Sequence, residues 1–272
     1  MTDSELDAVA GQVALALRSG MPLQPFSVQR PDFDTAAGYG VATRLRQQRV
    51  AEGARVVGRK IGFTNRALWP VYGVDRPIWG AIYDDTRVRL DHNRGRCSLA
   101  GLQEPKIEPE IVLHFASAPQ PDDSAADLLQ RIDLLAHALE IVHSPYPGWT
   151  FGTADAVAVG SLHGLLLVGT PVPVAALGSA LEAALASFKL TLACNDVAQD
   201  HGNGANVLGS PLQAALHLVR ALAQQPASER IQGDEWITTG TLTAAWPVSA
   251  GQTWSTHIDG LALPGLSVDF HP

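Results

Sequence analysis

Residues 106–115 read KIEPEIVLHF, with two carboxylates, Glu108 and Glu110, two positions apart in an otherwise apolar run. An ionised carboxylate is costly to bury without a partner, or its pKa shifts until it is neutral. A strand turns successive side chains to opposite faces, which sets Glu108 and Glu110 on one face, about 7 Å apart along the chain. Two acids facing one way call for a cation between them. Glu140, between LLAHAL and IVHS, is a third carboxylate in apolar surroundings, and Lys60 and Asp155 complete the short set of such ionisable residues. Three carboxylates with no nearby cysteine or closely spaced histidine pair suit a hard divalent ion, Mg²⁺ or Mn²⁺, better than zinc.

Each residue also has a plainer reading. An E-x-E on a strand is common on a half-exposed face, Lys60 between glycines fits a solvated turn, and Glu140 fits the end of an exposed helix face. His143 and His163 have no ligand-spaced His or Cys partner and read as core histidines with satisfied ring nitrogens. GNGANVLG at 202–209 is glycine-rich but lacks the Gly-Lys-Ser/Thr of a phosphate-binding loop.

The elements that must position these residues belong to a chain of 272 residues with 46% hydrophobic and 17% charged residues, enough for a sizeable core. A net charge of −8 argues against nucleic acid or an anionic membrane as partner. Cys97 and Cys194 lie in no metal-like or redox-like spacing and read as free thiols, as expected of a cytoplasmic protein. The N-terminal stretch carries early acids and no long apolar run, so neither a signal peptide nor a membrane span is expected there.

Thr2 and Glu5 form a capping box for a first helix with Leu6, Val9, Val13 and Leu17 at helical spacing, stopping at Gly20. A second helix is expected from about Asp34 to Glu52, then a strand over RVVGRKIGF. Further expectations are a strand over 106–116, a helix from Ser124 to about Leu139, and two strands within 155–168 broken by GSLHG. Val174–Ser187 reads as an Ala/Leu-rich helix, KLTLACNDVAQD as a hairpin turning at Asn195–Asp196, and Ser210 as the N-cap of a helix with Pro211 in its first turn. The whole is one chain, 1–272, with a helical N-terminal portion (1–55) and a β-rich body (56–272).

Taken in order, GRKIGFTN…YGVDRPIWG, EPKIEPEIVLHF, ALEIVHS, TADAVAVGSLHGLLLVG and GTLTAAWPVSAGQTWSTHIDGLALPGLSVDF closely resemble the hydratase/decarboxylase group that acts on aromatic-ring cleavage products. That group includes 2-keto-4-pentenoate (2-hydroxypenta-2,4-dienoate) hydratase, 2-oxohept-4-ene-1,7-dioate hydratase and 4-oxalocrotonate decarboxylase, and shares the fold of the fumarylacetoacetate hydrolase superfamily. The resemblance spans roughly residues 5–270. It implies an α+β fold with a mixed, highly curved β-sheet body and a helical N-terminal portion, in a homo-oligomer. It also implies a divalent metal, Mg²⁺ or Mn²⁺, on Glu108, Glu110 and Glu140, an active-site Lys60, and a substrate-lining loop at Thr239, Gly240 and Thr241. Ile78, Trp79 and Asp155 join the substrate-binding candidates.

Three departures from the family pattern stand out. Ile78 follows Pro77 where an acid is frequent, Val159–Gly160 stand where Asp-Asn is frequent, and Leu162 and His163 replace small or hydroxyl residues. The activity implied is a hydro-lyase: metal-assisted addition of water to a 2-hydroxy-2,4-dienoate, through its 2-oxo-enoate, to give a 4-hydroxy-2-oxo acid. Lys60 is the candidate proton carrier, its pKa lowered by a dication and burial, and His163 a candidate second acid/base outside the family pattern. The alternatives are a 2-oxo acid decarboxylase or C–C hydrolase with the same metal, and, in another class, a weakly active homologue serving as a scaffold.

Overall fold

Capping residues set the first elements of the structure, a computed structural model that describes residues 1–226 and 229–272. The Thr2–Glu5 capping box starts α1 (Asp3–Ser19), and Gly20, in the left-handed conformation, ends it. After α2 (Phe26–Gln29), Asp34 accepts from Ala37 N and caps α3 (Thr35–Ala51). The body begins with β1 (Val56–Gly62), α4 (Trp69–Tyr72), β2 (Ile78–Tyr83), β3 (Arg87–Arg89), β4 (Arg94–Ser98) and β5 (Lys106–Phe115). Then come α5 (Ala125–Gln130), β6 (Ile132–Val142), α6 (Thr153–Ala158), β7 (His163–Val168), β8 (Val172–Pro173) and α7 (Leu181–Ser187). The hairpin β9 (Lys189–Cys194) and β10 (Val197–Asn203) turns at Asn195–Asp196, both at positive φ, as expected. α8 (Pro211–Ala223), capped by Ser210, precedes β11 (Glu235–Thr238), β12 (Trp246–Pro247), β13 (Thr253–Asp259) and β14 (Ser267–His271).

The strands form a nine-stranded mixed sheet, β2-β1-β11-β5-β6-β7-β3 with β12 and β8 attached, and a five-stranded sheet, β10-β9-β13-β14-β4. β1, β11, β5 and β6 lie between β2 and β7 in the large sheet, yet Ile82 of β2 and Leu166 of β7 pack in one cluster with Val112, Ala136 and Ala138. The sheet therefore curls until its far strands meet across a concave face. Its convex face (Ile107, Ile111, Leu113, Leu139, Ile141) packs against α5, α7, α8 and the smaller sheet in the main core. The expected helical N-terminal portion and β-rich, curved body are both present. Among the described residues no helix is long and apolar enough to cross a membrane.

Three expectations fail locally. The helix expected over 124–139 stops at Gln130, and Ile132–Val142 is a strand. β6 is buried on both faces along most of its length, so it lacks period-two alternation, and its Leu and Ala positions mimic a helical stripe. Pairing with β5 along nearly its whole length overrides that propensity. The first of the two strands expected in 155–168 is the helix α6. Its residues 154–158 are all buried, so no polar face betrays its period. The helix expected over Val174–Ser187 is a short 3-10 turn at 174–176 and, beyond Gly178 at φ +84°, the helix α7.

The N-terminal helices buttress α6. A Cβ on Gly38 of α3 would lie 2.5 Å from the Ala154 carbonyl oxygen, so the glycine permits backbone contact between the two helices.

Candidate active site

Strand alternation and register assemble the site on the concave face. Glu108 on β5 lies opposite Glu140 on β6, and Glu110 lies opposite Ala138. Lys60 on β1 lies opposite Gly80 on β2, whose neighbour two along, Ile82, faces the same concave cluster. One oxygen from each of Glu108, Glu110 and Glu140 falls within 4.8 Å of the others.

His163 reaches this face by an irregularity. In β7, Leu165 pairs with Ile141 but His163 pairs with Val142, a register shift that leaves Gly164 as the extra residue. The bulge turns His163 to the side of Glu140. A Cβ on Gly164 would lie 2.6 Å from the Ile141 carbonyl oxygen, so glycine suits the tight point of the bulge.

Glu140 is fully buried, and its Oε1 accepts from Lys60 Nζ at 2.8 Å and from His163 Nδ1 at 2.7 Å. His163 Nε2 lies 2.9 Å from Thr86 Oγ1. Glu140 Oε2 is buried and has no partner among the described residues. Glu110 Oε2 accepts from Gly240 N at 2.8 Å. Gly240, at φ +93°, is held by Thr64, whose hydroxyl donates to the Thr239 carbonyl at 2.9 Å.

The charges do not balance. Burial opposes the charge on Glu140, but Lys60 and His163 outweigh it and hold its pKa at about 2. Burial pushes Glu108 up to about 7, against the pull of Lys60, and lifts Glu110 well above the carboxylate range, with Glu140 and Glu108 adding repulsion. Burial also opposes the charge on Lys60, yet Glu140, Glu108 and Glu110 outweigh it and raise its pKa. That is opposite to the lowering expected with a dication present. An unpartnered buried carboxylate oxygen and two acids driven toward neutrality are what a hard divalent cation would relieve, so the donor set fits one.

Of the three carboxylates, Glu108 borders a narrow cavity of about 30 Å³. Lys60, Glu108, Ser161 and Thr241 line it together with Phe63, Leu68, Tyr72, Ile78, Val142, Trp149 and Leu162. Among the described residues Lys60 is the one cation in this lining. The Lys106 ammonium lies 4.1 Å from the Trp149 ring centroid and 3.2 Å from the Tyr72 hydroxyl, and does not line the cavity.

Of the sequence candidates, Lys60, Glu108, Glu110, Glu140 and His163 converge, with Ile78 and Thr241 on the cavity wall and Gly240 behind Glu110. Thr239 is buried, its hydroxyl donating to the Ile111 carbonyl at 2.9 Å. Trp79 points away: alternation puts it on the other face of β2 from Ile78, stacked on Tyr39 at 5.0 Å. His143 lies outside the cavity lining and accepts from Gln103 N. Thr86, which meets His163, carried no sequence signal.

Asp155 is also placed elsewhere. It is fully buried but accepts from Ser27 N at 3.1 Å, from the Ser27 hydroxyl and from Gly152 N at 2.9 Å, tying α2 to α6 outside the cavity. Asp155→Ala is expected to lower stability by about 2 kcal/mol through the donors left unpaired, with divalent-metal affinity unchanged. Urea unfolding and calorimetric Mn²⁺ titration check this, and a variant as stable as wild type would refute the tie.

No protein-family model matches the chain. A 2-keto-4-pentenoate hydratase of Paraburkholderia xenovorans (strain LB400) is 30% identical over 264 residues, covering 96% of this chain and 94% of the relative. The chain belongs to the 2-keto-4-pentenoate hydratase family. Among solved structures, 4-oxalocrotonate decarboxylase from Pseudomonas putida G7, complexed with magnesium and adipate, matches with TM-score 0.89 and 26% identity over 99% of this chain and 98% of that one. Fumarylpyruvate hydrolase from Pseudomonas aeruginosa, in complex with Mn²⁺ and pyruvate, shares the fold at TM-score 0.58 and 14% identity over 79% of this chain and 89% of that one. The fold of this family member is thus that of the fumarylacetoacetate hydrolase superfamily.

Proposed function

We propose that the protein is a divalent-metal-dependent hydratase, a hydro-lyase that adds water to a 2-hydroxy-2,4-dienoate, through its 2-oxo-3-enoate, to give a 4-hydroxy-2-oxo acid in aromatic-compound catabolism. Glu140 carries the reading: Oε1 is committed to Lys60 and His163, Oε2 has no partner, and two further carboxylates stand beside it, in a chain of this family. Glu108, Glu110 and Glu140 would hold the ion, Mg²⁺ or Mn²⁺. When bound, it supplies Lewis acidity toward the oxygens of a 2-oxo acid.

The chain's own residues do the rest. Lys60 Nζ is the proton carrier at the cavity wall. His163, donating to Glu140, is the second candidate acid/base. Water's hydroxyl goes to C4 of the enoate and a proton to C3. Thr241 and Ile78 flank the substrate, and Phe63, Leu68, Val142 and Leu162 keep bulk water from it. A homo-oligomer as the working state is part of the same reading, by resemblance to the family.

The cavity lining also bears on the tail. A second carboxylate there would be desolvated among Phe63, Leu68 and Ile78, with Lys60 as the one cation in the described lining. An uncharged tail therefore fits better than a dicarboxylate, which favours the hydratase over decarboxylation of a diacid. In assays with 2-hydroxypenta-2,4-dienoate and homologues, dienol absorbance should fall, the fall should stop with EDTA and return with Mg²⁺ or Mn²⁺. A substrate with a tail carboxylate should show kcat/KM about tenfold lower or worse. No metal-dependent turnover on any such 2-oxo acid would remove the hydratase reading, and CO₂ as product would replace it by the decarboxylase. A purified protein without stoichiometric divalent ion would favour the scaffold.

A further inference from the structure

Between α6 and β7 the chain makes three consecutive left-handed residues: Gly160 at φ +74°, Ser161 at +59° and Leu162 at +64°. Serine and leucine meet a steric penalty there that glycine escapes, so such a turn persists only where its surroundings over-determine it. Ser161 N donates to the Ala156 carbonyl at 3.0 Å and His143 N donates to the Leu162 carbonyl at 3.0 Å. The Ser161 hydroxyl, buried with the rest of the residue, donates to the Trp79 carbonyl at 2.6 Å. Gly80 is the other condition. A Cβ there would lie 2.7 Å from the Gly160 carbonyl oxygen and 3.2 Å from Ser161 Cβ.

The same two residues of β2 also set β1. Lys60 pairs with Gly80, and Ile61 pairs with Trp79. Trp79–Gly80 thus holds Lys60 on one side and the left-handed turn on the other. The residue after that turn is His163, and the two side chains meet on the same oxygen, Glu140 Oε1.

We propose that Ser161 is a positioning residue: its bond to the Trp79 carbonyl locks the left-handed turn, which keeps His163 on Glu140 Oε1 and leaves Oε2 for the metal. The inference rests on the metal site proposed above, and one of its readouts needs no metal.

The test uses the full-length protein with Ser161→Ala and Ser161→Gly. Glycine loses the hydroxyl but relieves the backbone, so it keeps a folded variant in hand. Mn²⁺ affinity is read by electron paramagnetic resonance titration. His163 is read by ¹⁵N ring resonances of the metal-free protein, assigned with His163→Gln. Both Ser161 variants should weaken Mn²⁺ by about tenfold, at the low end for partners that support a metal ligand, and should shift the His163 Nδ1 resonance. In a His163→Gln background, Ser161→Ala should add less than about twofold, because its effect runs through the histidine. Unchanged Mn²⁺ affinity and His163 resonances in the Ser161 variants would overturn the inference. So would a Ser161→Ala effect that persists in full without His163. Wild-type protein that binds no Mn²⁺ would instead remove the metal site, and unmoved His163 resonances would then remove the positioning role separately.

Discussion

Glu140→Ala is expected to abolish stoichiometric Mn²⁺ binding and to destabilise the metal-free protein by about 3 kcal/mol. The carboxylate is the shared acceptor of Lys60 and His163 in a fully buried setting. Without it the Lys60 ammonium stays buried beside Glu108 and Glu110 alone, which neutralise it from farther away. Their presence keeps the loss at the low end of what breaking a buried ion pair costs. Two effects move together here: the donor whose Oε2 has no protein partner disappears, and an ammonium loses its hydrogen-bonded counter-charge. Calorimetric titration with Mn²⁺ and urea unfolding in EDTA read them separately. A variant with Mn²⁺ affinity within about twofold of wild type would refute Glu140 as a ligand.

Lys60→Ala separates chemistry from metal binding. Loss of the proton carrier should lower kcat by about 10²- to 10⁴-fold, the usual contribution of a positioned acid or base. Metal affinity should hold or tighten. The substitution removes a positive charge from beside three carboxylates that a cation must satisfy, so the sign opposes weaker binding. Single-turnover decay of the dienol and Mn²⁺ titration on the same preparation check both halves. If metal binding falls with kcat, Lys60 supports the metal and the proton-carrier role assigned to it fails.

The two acids that first drew attention illustrate how far one-dimensional reasoning reaches. Period-two alternation alone places Glu108 and Glu110 on one face, and that is how β5 presents them. Capping signals at Thr2 and Ser210 and the Asn195–Asp196 turn were legible because each depends on residues a few positions apart. β6 was not, because a strand buried on both faces shows no alternation and its Leu and Ala positions fit a helix equally well. That error put Glu140 just beyond the end of a helix, when it sits in mid-sheet across from Glu108. Trp79 and Asp155 were drawn toward the site by residue type. The first is turned away by strand alternation, and the second is engaged by Ser27, far off in the chain.

What the residue order determined by itself is local: which helices start and stop where, which acids share a strand face, and, through ordered motifs, which family the chain resembles. The tertiary structure alone decided that β5 and β6 pair in the register that brings Glu140 to Glu108. It alone put a bulge at Gly164 that turns His163 inward, and left one oxygen of Glu140 without a partner. Those outcomes depend on hydrogen bonds between segments distant in the chain and on a one-residue register choice, and neither leaves a periodic trace in the sequence.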